Sequence, residues 1–370
     1  MIEISRYEVQ GGVSEYHVMI HVDNPRLAYA EQAKSVLSAY TQLLEGELKG
    51  AVTVLKRFFL SDAANQSDYL QTLLVEQEAC PLSIVEQSPL NGTKIALWAN
   101  LQKGVELKAL SHGMYEVKHG AYRHLWMAGA CHDTSDAEAQ TRQLFDDYIT
   151  LLREQGCTLA ENCLRTWFFV QNVDVNYAGV VKARNEVFAT QNLTNQTHFI
   201  ASTGIAGRHA NHQVSVLMDA YAVQGIRQEQ IRYLYAPTHL NPTYEYGVSF
   251  ERGTAVDYGD RRQVFISGTA SINNKGEVVH PGDICNQTLR MWENVEVLLA
   301  EAECTFEHVS HLIVYLRDVA DYIVVKEMFD ERFPNIPKVY LLAPVCRPGW
   351  LIEMECMAVK TIHNERFSAY

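Results

Sequence analysis

Two glutamates in one apolar segment are the first candidates for chemistry in this sequence. Glu353 and Glu355 lie two residues apart in LIEMECMAV (351–359), which we predict to be a strand, so both side chains point to the same side. Burial of a carboxyl group disfavours its ionised form and raises its pKa, and such a group can donate a proton near neutral pH. Glu353 is therefore a candidate general acid, with a structural ion pair to an arginine as the alternative.

Cationic residues just before this segment could bind a negatively charged ligand. Arg347 follows Cys346 directly, and Lys338 lies in the preceding segment. A guanidinium group binds a carboxylate through two parallel hydrogen bonds, whereas a lysine ammonium group acts as a point charge. A solvated loop is the alternative position for both cations. The candidate site thus combines Glu353 with Arg347, Cys346, Lys338 and Glu355.

Three further arginines could reach the same site from other parts of the chain: Arg165, Arg184 and Arg252. Arg165 lies in LRTW (164–167), which we predict to be a central strand, where an unpaired charge would be costly. It therefore either pairs with a carboxylate or binds the substrate. Arg252 is a candidate for substrate binding as well.

The histidines and glycines give weaker signals. His198, His209 and His212 do not match the ligand spacing of a zinc site, so we predict no metal. The run Gly204–Gly207 lacks the strand-to-helix context of a phosphate loop and indicates only a turn.

The chain contains the same unit three times, and comparison of the copies points to one site. Glu353 aligns with Leu217 of the second copy and Glu355 with Asp219, so only Glu353 is an acid unique to the third copy. Internal repetition at this scale determines the whole fold. The repeated positions include Tyr7-Glu8-Val9 with Tyr115-Glu116-Val117, Gln32 with Gln140 and Gln287, and Leu43-Leu44 with Leu151-Leu152 and Leu298-Leu299.

We predict a first unit at 1–104, a second at 105–225, a connector at 226–247 and a third unit, which carries the site, at 248–370. Each unit alternates strand, strand, helix, strand, helix, strand, which indicates an α+β layer of one sheet with two helices on one face. The other face of each sheet is also apolar and needs a partner. We therefore predict that the three sheets pack together as an internal pseudo-trimer.

The predicted elements follow from the periodicity of the apolar residues. A strand at 264–271 precedes a helix that begins near Asp283. The second helix of each unit is expected at about 63–76, 175–190 and 319–332, and the closing strands are expected at 94–102, 214–223 and 351–359.

Composition excludes several classes of protein. A net charge of −13 argues against nucleic-acid binding, which needs a basic surface, but a few cations in one cleft can still bind a small anionic substrate. No stretch approaches the roughly 18 apolar residues that span a bilayer, and no signal peptide precedes the first unit, so we expect a cytoplasmic protein without a membrane partner. The eight cysteines form no C-x-x-C pair and are expected to be reduced core thiols.

The third copy resembles the YjgF/RidA family of reactive-intermediate deaminases, also described as endoribonuclease L-PSP-like. The matching runs are FISGTAS (265–271), HPGD with Gln287, VYLRD (314–318) and LIEMECMAV (351–359). The resemblance implies a chorismate-mutase-like α+β fold that forms trimers with clefts between neighbours. In that family an arginine on the strand before the last binds the substrate carboxylate, and a glutamate in the last strand places water. Lys338 and Glu353 occupy those positions here.

A narrower resemblance to the chorismatases covers more of the chain. It rests on LRTW, STGIAG (202–207), FISGTASI (265–272) and VCRPGWLIEME (345–355). It implies a cofactor-free hydrolase or lyase in which Glu353 protonates the enolpyruvyl methylene of chorismate and pyruvate leaves. Arg347 and other cations would hold the dicarboxylate, and Thr269 of the SGTASI phrase joins the candidates for substrate binding.

Two other functions stay open at this point. One is an imine or enamine deaminase of the YjgF/RidA type, and the other is a non-catalytic regulatory protein that binds a small ligand. An endoribonuclease fits poorly with a net charge of −13. Because the pseudo-trimer is formed within one chain, we expect the protein to be a monomer or to associate further as a homo-oligomer.

Overall fold

The chain folds into three mixed β-sheets, each covered by helices on one face. This arrangement is seen in a computed structural model that describes residues 1–75, 77 and 79–370. The first sheet has the strand order β1-β2-β6-β3-β4. Its elements, together with β5, which joins the third sheet, are β1 Ile2–Tyr7, β2 Ser14–His21, α1 Tyr29–Glu45, β3 Val52–Leu60, α2 Ala63–Leu74, β4 Leu82–Glu86, β5 Ser88–Pro89 and β6 Ile95–Lys103.

The second sheet repeats this layout. Its elements are β7 Glu106–Ala109, β8 Met114–His119, β9 Tyr122–Cys131, α3 Ala137–Glu154, α4 Leu159–Asn162, β10 Cys163–Val170, α5 Val173–Thr190, β11 Ala201–Ala206 and β12 Val216–Gln224. The strand order is β11-β10-β12-β9-β8-β7, so the last strand of the unit again lies in the middle of its sheet.

The third sheet has the order β13-β14-β15-β18-β16-β17-β5, and its last strand in this order comes from the first unit. Its own elements are β13 Ile231–Leu234, β14 Gly253–Asp257, β15 Arg261–Ala270, α6 Ile284–Glu301, β16 Val309–Leu316, α7 Tyr322–Arg332, β17 Lys338–Leu342 and β18 Ile352–Thr361. Short 3-10 helices occur at Gln228–Gln230, Thr243–Tyr246, Phe306–His308 and Val319–Asp321.

The repeated glutamine ties the first long helix of each unit to the start of its closing strand. The side-chain oxygen of Gln32 accepts a hydrogen bond from the Lys94 amide at 2.8 Å. Gln140 accepts one from Ser215 at 2.8 Å, and Gln287 accepts one from Leu351 at 2.9 Å. A buried amide side chain needs such partners. The sequence repeat therefore marks a shared structural clamp.

The long helix of the third unit begins where the sequence predicts. The Asp283 side chain accepts a hydrogen bond from the Asn286 amide at 3.0 Å and caps α6. Asp136 caps α3 of the second unit in the same way, through the Ala139 amide at 2.9 Å. Such caps satisfy amide groups that have no partner within the helix.

The faces of the sheets that carry no helix pack against one another, and the predicted pseudo-trimer is confirmed. Trp98 of the first unit, Trp167 of the second and Ile313 of the third belong to one buried apolar cluster. Separate apolar clusters lie under the helices of the first and second units. Since each sheet buries both faces, no unit has a complete core of its own.

Three expectations about individual elements change. A further short strand follows the second helix in each unit (β4, β11 and β17), and the Gly204–Gly207 run lies largely within β11 rather than in a turn. Segment 226–247, expected only as a connector, also supplies β13, which pairs with β14. The second helices begin or end within three residues of the predicted positions, and predicted position 76 lies outside the described residues.

The described residues contain no helix long and apolar enough to cross a membrane. The eight cysteines are free thiols, and five of them are buried: Cys80, Cys157, Cys163, Cys304 and Cys356.

Candidate active site

A cavity between the second and third units contains the proposed acid. About 40 Å³ of it is accessible to the centre of a water-sized sphere, and about 510 Å³ lies between its lining atoms when the adjoining open solvent is included. One wall comes from β11 and α5 of the second unit, and the other comes from β15, β18 and the loop before β18. The lining residues are Tyr177, Arg184, Ser202, Gly204, Val248, Phe250, Arg252, Gly268, Ala270, Ile272, Cys346, Arg347, Trp350 and Glu353.

Glu353 is buried in this cavity without a hydrogen-bond donor. It lies on β18 between Ala270 of β15 and Tyr315 of β16. None of the hydrogen bonds or ion pairs formed among the described residues involves its carboxyl group, and only 5% of the residue is exposed. Burial raises the pKa of Glu353 to about 8; the charge of Glu355 adds to this effect, while Arg165 and Arg252 oppose it. Glu353 is therefore protonated at neutral pH and can donate that proton.

Gly268 provides the space in which the Glu353 carboxyl group lies. A β-carbon at position 268 would lie 2.1 Å from Oε1 of Glu353 and 3.1 Å from Cγ2 of Thr203. Real atoms do not approach so closely, so any side chain at position 268 would force the Glu353 carboxyl group to move.

Three guanidinium groups line the cavity around the acid. Arg184 of α5 is 1% exposed, and its Nε and Nη2 have no hydrogen-bond partner among the described residues. Arg252 is held by Asn241, to whose main-chain and side-chain oxygens its Nη2 donates at 3.0 and 3.1 Å. The Arg347 guanidinium lies 5.2 Å from the Trp350 ring centroid. Three cations and one neutral acid give the cavity a positive charge, which suits an anionic ligand.

Cys346 also lines the cavity, but its thiol is not a nucleophile at neutral pH. Burial raises the pKa of Cys346 to about 12, and the proximity of Glu353 acts in the same direction. The thiolate is the reactive form of cysteine. Cys346 therefore acts as a polar wall of the cavity.

Glu355 and Arg165 lie outside the cavity and bind each other. Arg165 Nη2 donates to Glu355 Oε2 at 2.5 Å, and the Trp167 indole and the Tyr315 hydroxyl donate to Oε1 at 3.0 and 3.1 Å. The Thr203 hydroxyl also donates to Oε2. The structure thus places Glu355 and Arg165, both predicted to bind substrate, in contact with each other and outside the cavity lining, and Glu355 is the carboxylate partner of Arg165 that the sequence left open.

Lys338 and Thr269 also lie outside the cavity. Lys338 pairs in register with Leu312, which lies opposite Cys356, so it points to the helix-covered side while Glu353 points to the other. Its Nζ donates to the main-chain oxygens of Phe333 and Ile336 at 2.9 and 3.2 Å. A bulge in β15 turns Thr269 away, and its hydroxyl donates to the main-chain oxygen of Ser267 at 2.8 Å.

Structure and sequence agree on four lining residues: Glu353, Arg347, Cys346 and Arg252. Arg184, which the sequence marked only as one cation among several, lines the cavity, and two of its buried nitrogens have no hydrogen-bond partner in the described part of the chain. Gly268 was not singled out, although a glycine inside a strand is a signal of close approach by another group. No three His, Cys, Asp or Glu side chains in the described part of the chain converge as a metal site would require.

The three closing strands can be aligned by a bulge that recurs in each sheet. It falls between Thr53 and Leu55, between Cys163 and Arg165, and between Val309 and His311. Counted from this bulge, Glu353 corresponds to Leu217 and Ala96, and Glu355 corresponds to Asp219 and Trp98. The register thus gives the same equivalence as the sequence repeat and extends it to the first unit.

Sequence comparison places the third unit in a known family. Residues 253–360 match the family described as Endoribonuclease L-PSP. A RutC family protein of Pyrococcus abyssi is 35% identical over 100 residues, which are 26% of this chain and 78% of the relative. The 3-aminoacrylate deaminase RutC of Acinetobacter baylyi is 31% identical over 97 residues, 26% of this chain and 77% of the relative.

Structural comparison covers nearly the whole chain. A crystal structure of a chorismatase superimposes with a TM-score of 0.69 and 18% identity, covering 95% of this chain and 100% of the other. The protein belongs to the Endoribonuclease L-PSP (YjgF/RidA) family through its third unit. Its three units together have the fold seen in the chorismatase.

Proposed function

We propose that this protein hydrolyses chorismate or a similar cyclic carboxylate with release of pyruvate, and that Glu353 is the general acid. The observation that carries the proposal is a buried carboxyl group that receives no hydrogen bond from the described residues, has a pKa raised to about 8 and lies in a cavity with three guanidinium groups. The fold shared with a chorismatase supports the same reading.

The proposed reaction needs only water and a proton. Glu353 transfers its proton to the terminal methylene carbon of the enolpyruvyl ether, which leaves a carbocation stabilised by the ether oxygen. Water adds to the positively charged carbon that bears the ether oxygen and the carboxylate, and the proton that it loses returns to Glu353. The resulting hemiketal then breaks its bond to the ring oxygen, giving pyruvate and a ring alcohol. General acid catalysis of this kind requires an acid with a pKa near the working pH.

The charges in the cavity fit a substrate with two carboxylates. Arg184, Arg252 and Arg347 come from three different segments, so they surround the acid and can bind carboxylates at separated positions. A dianion compensates most of their charge. Bound close to Glu353, it would also favour the protonated form of the acid.

The test is incubation with chorismate while pyruvate is measured. We expect wild type to release pyruvate and Glu353→Gln to lose at least about a hundredfold in rate, the range that general acid catalysis contributes. Activity should fall as pH rises through about 8, because Glu353 then loses its proton. Absence of pyruvate from wild type, or an unchanged rate in Glu353→Gln, would contradict the proposal.

Glu15→Gln is a matched control for this experiment. Glu15 is 3% exposed and pairs with Arg261 at 2.6 Å, and neither residue lines the cavity. The substitution therefore makes the same chemical change in a buried glutamate elsewhere, and the pyruvate rate of the folded protein should stay within about twofold, as expected for a residue without contact to the reacting atoms.

The second candidate is deamination of an imine or enamine. It is favoured by the 31% identity to the 3-aminoacrylate deaminase. Against it, Lys338, which stands at the position of the carboxylate-binding arginine, lies outside the cavity that contains Glu353. Ammonia release from a freshly generated enamine of a small amino acid, without pyruvate release from chorismate, would favour this candidate. Binding without turnover of either compound would favour a regulatory protein.

A further inference from the structure

We infer that Glu355 is a positioning residue that keeps Glu353 in its acid form, and that the first and second units hold Glu355 in place for this purpose. The role in turnover depends on the proposed function. The effect on Glu353 itself can be measured without any substrate.

The two glutamates have opposite surroundings although they are two residues apart on β18. Glu355 is 3% exposed and receives four hydrogen bonds, from Arg165, Trp167, Thr203 and Tyr315. Carboxylate anions accept several donors in this way, whereas a protonated carboxyl group must also find an acceptor. Glu353 receives no hydrogen bond from any described residue, so no donor there compensates a negative charge on its carboxyl group.

Most of the groups that hold Glu355 belong to the other two units. Arg165, Trp167 and Thr203 come from the second unit, on β10 and β11. Arg57 of the first unit lies 3.8 Å from Glu355 through its Nη1, and its Nη2 donates to Asp219 of the second unit at 2.7 Å. A row of buried charges thus runs from the first unit to the third, with two arginines and two carboxylates.

Thr203 and Gly268 connect this row to the cavity. The Thr203 hydroxyl donates to Glu355 and accepts hydrogen bonds from Arg165 Nη2 at 2.5 Å and from the Gly268 amide at 2.9 Å. The hydroxyl group thereby uses its one donor and both of its acceptor positions. Gly268 in turn lies directly against the Glu353 carboxyl group. Glu355 is thus fixed at a constant place relative to the acid.

A fixed anion beside a carboxyl group makes loss of the proton less favourable. The charges around Glu353 act in both directions, and Glu355 opposes ionisation while the cations favour it. The charge of Glu355 affects the pKa of Glu353 more strongly than the charge of Arg165 or of Arg252 does. The titratable and charged groups that face Glu353 are Glu355 on its own strand, Arg165 on β10, Arg252 before β14, Arg184 and Tyr177 on α5, Tyr315 on β16, and Cys346 and Arg347 in the loop before β18.

The experiment is a titration of the glutamate side-chain carboxyl carbons by ¹³C NMR, with Glu353→Gln used to assign the signal of Glu353. In Glu355→Gln the titration of Glu353 should move to lower pH by about one unit or more, as expected for loss of a close like charge. The Arg165 cation left behind acts in the same direction. In the matched control Glu15→Gln the titration should not move.

A double variant, Arg165→Met with Glu355→Gln, covers the case in which Glu355→Gln alone does not fold, because it removes the Arg165 cation together with the Glu355 anion. Its titration should also move to lower pH, but by less than in the single variant, since Glu355 outweighs Arg165. An unchanged or higher titration point in these variants, or an equal change in Glu15→Gln, would overturn the inference.

The pH dependence of pyruvate release separates the two proposals. If chorismate is turned over, the alkaline fall in activity should move with the NMR titration in each variant. If chorismate is not turned over but the NMR result holds, the function proposed above fails and the role of Glu355 stands.

Discussion

The second and third units differ most clearly where a glycine meets the neighbouring unit. Gly268 and Gly129 occupy the same register position, next to the same bulge, in β15 and β9. Beside Gly268 lies the carboxyl group of Glu353 and the cavity. Beside Gly129 lies the main chain of the first unit, where a β-carbon would be 2.7 Å from the Leu82 oxygen. The same backbone position thus borders a cavity in the third unit and is in close contact with the first unit in the second.

The closing strands explain this difference. Leu217 stands where the third unit has Glu353, and it belongs to the buried apolar core that joins the units. Asp219 accepts a hydrogen bond from the Gly129 amide at 2.7 Å, whereas the Gly268 amide donates to Thr203. In the second unit the acid thus fixes the backbone, and in the third unit a neutral hydroxyl does so. Glu353, which has no acidic counterpart in the second unit, takes part in neither arrangement.

Leu217→Glu should have the largest effect on stability, since it places an acid in the tightly packed interface of the second unit. Leu217 is 2% exposed, so we expect a loss of about 3–5 kcal/mol in the free energy of unfolding at pH 8.5, the cost of an uncompensated buried charge. The loss should be smaller at pH 5.5, because burial raises the pKa of the new carboxyl group and it stays protonated there. Urea unfolding at both pH values measures this. Leu217→Gln separates polarity from charge, and its loss should be the same at both pH values.

Gly268→Ala and Gly129→Ala test the open and the closed interface with one methyl group each. The new β-carbon in Gly268→Ala displaces the Glu353 carboxyl group, and we expect a roughly hundredfold lower rate of pyruvate release, as for a catalytic group moved by about 1 Å. Gly129→Ala should instead cost about 2 kcal/mol of stability through overpacking, because φ at Gly129 is +68° and the Leu82 oxygen is close. Its folded protein should keep its activity. The reverse pattern would show that the two interfaces have been assigned the wrong way round.

Lys338→Met should have the smallest effect on activity, and Arg184→Met, which removes a cation from the cavity, serves as the contrasting variant. Lys338 donates to two main-chain oxygens just after α7 and lies 3.9 Å from Asp330 Oδ1, so its loss should cost about 1 kcal/mol of stability and leave kcat/KM nearly unchanged. Arg184→Met removes a charged donor from the cavity and should raise KM about tenfold or more. A large loss of turnover in Lys338→Met would instead support the deaminase candidate.

The sequence predicted the architecture well because repetition and apolar periodicity act over whole elements. The closing strands and long helices fall within a few residues of their predicted positions, and the alignment of Glu353 with Leu217 agrees with the strand register. The short strands β4, β11 and β17 were missed because of their length, and because β11 contains Gly204, a residue typical of turns. Strand β13 in segment 226–247 was missed because it is only four residues long.

The site was predicted less completely, since side-chain direction and contacts between units depend on distances that the sequence does not contain. Lys338 was placed in the cavity because it precedes Glu353 along the chain, yet a strand alternates its faces and a one-residue difference reverses the direction. Glu355 shares its face with Glu353, but the donors that bind it come from distant segments. Nothing near Arg57 in the sequence indicates that it reaches Asp219.

The strand β5 has a consequence for any attempt to isolate the third unit. Residues 88 and 89 pair with Leu341 and Leu342 and cover the edge of the third sheet. A fragment limited to 248–370 would lose this cover and expose a row of unpaired backbone groups on β17, a surface on which chains associate into aggregates. It would carry Glu353 while lacking Arg57, Arg165 and Arg184. Such a fragment would thus hold the acid without the environment that gives the acid its properties, and only expression of the units in one chain keeps the two together.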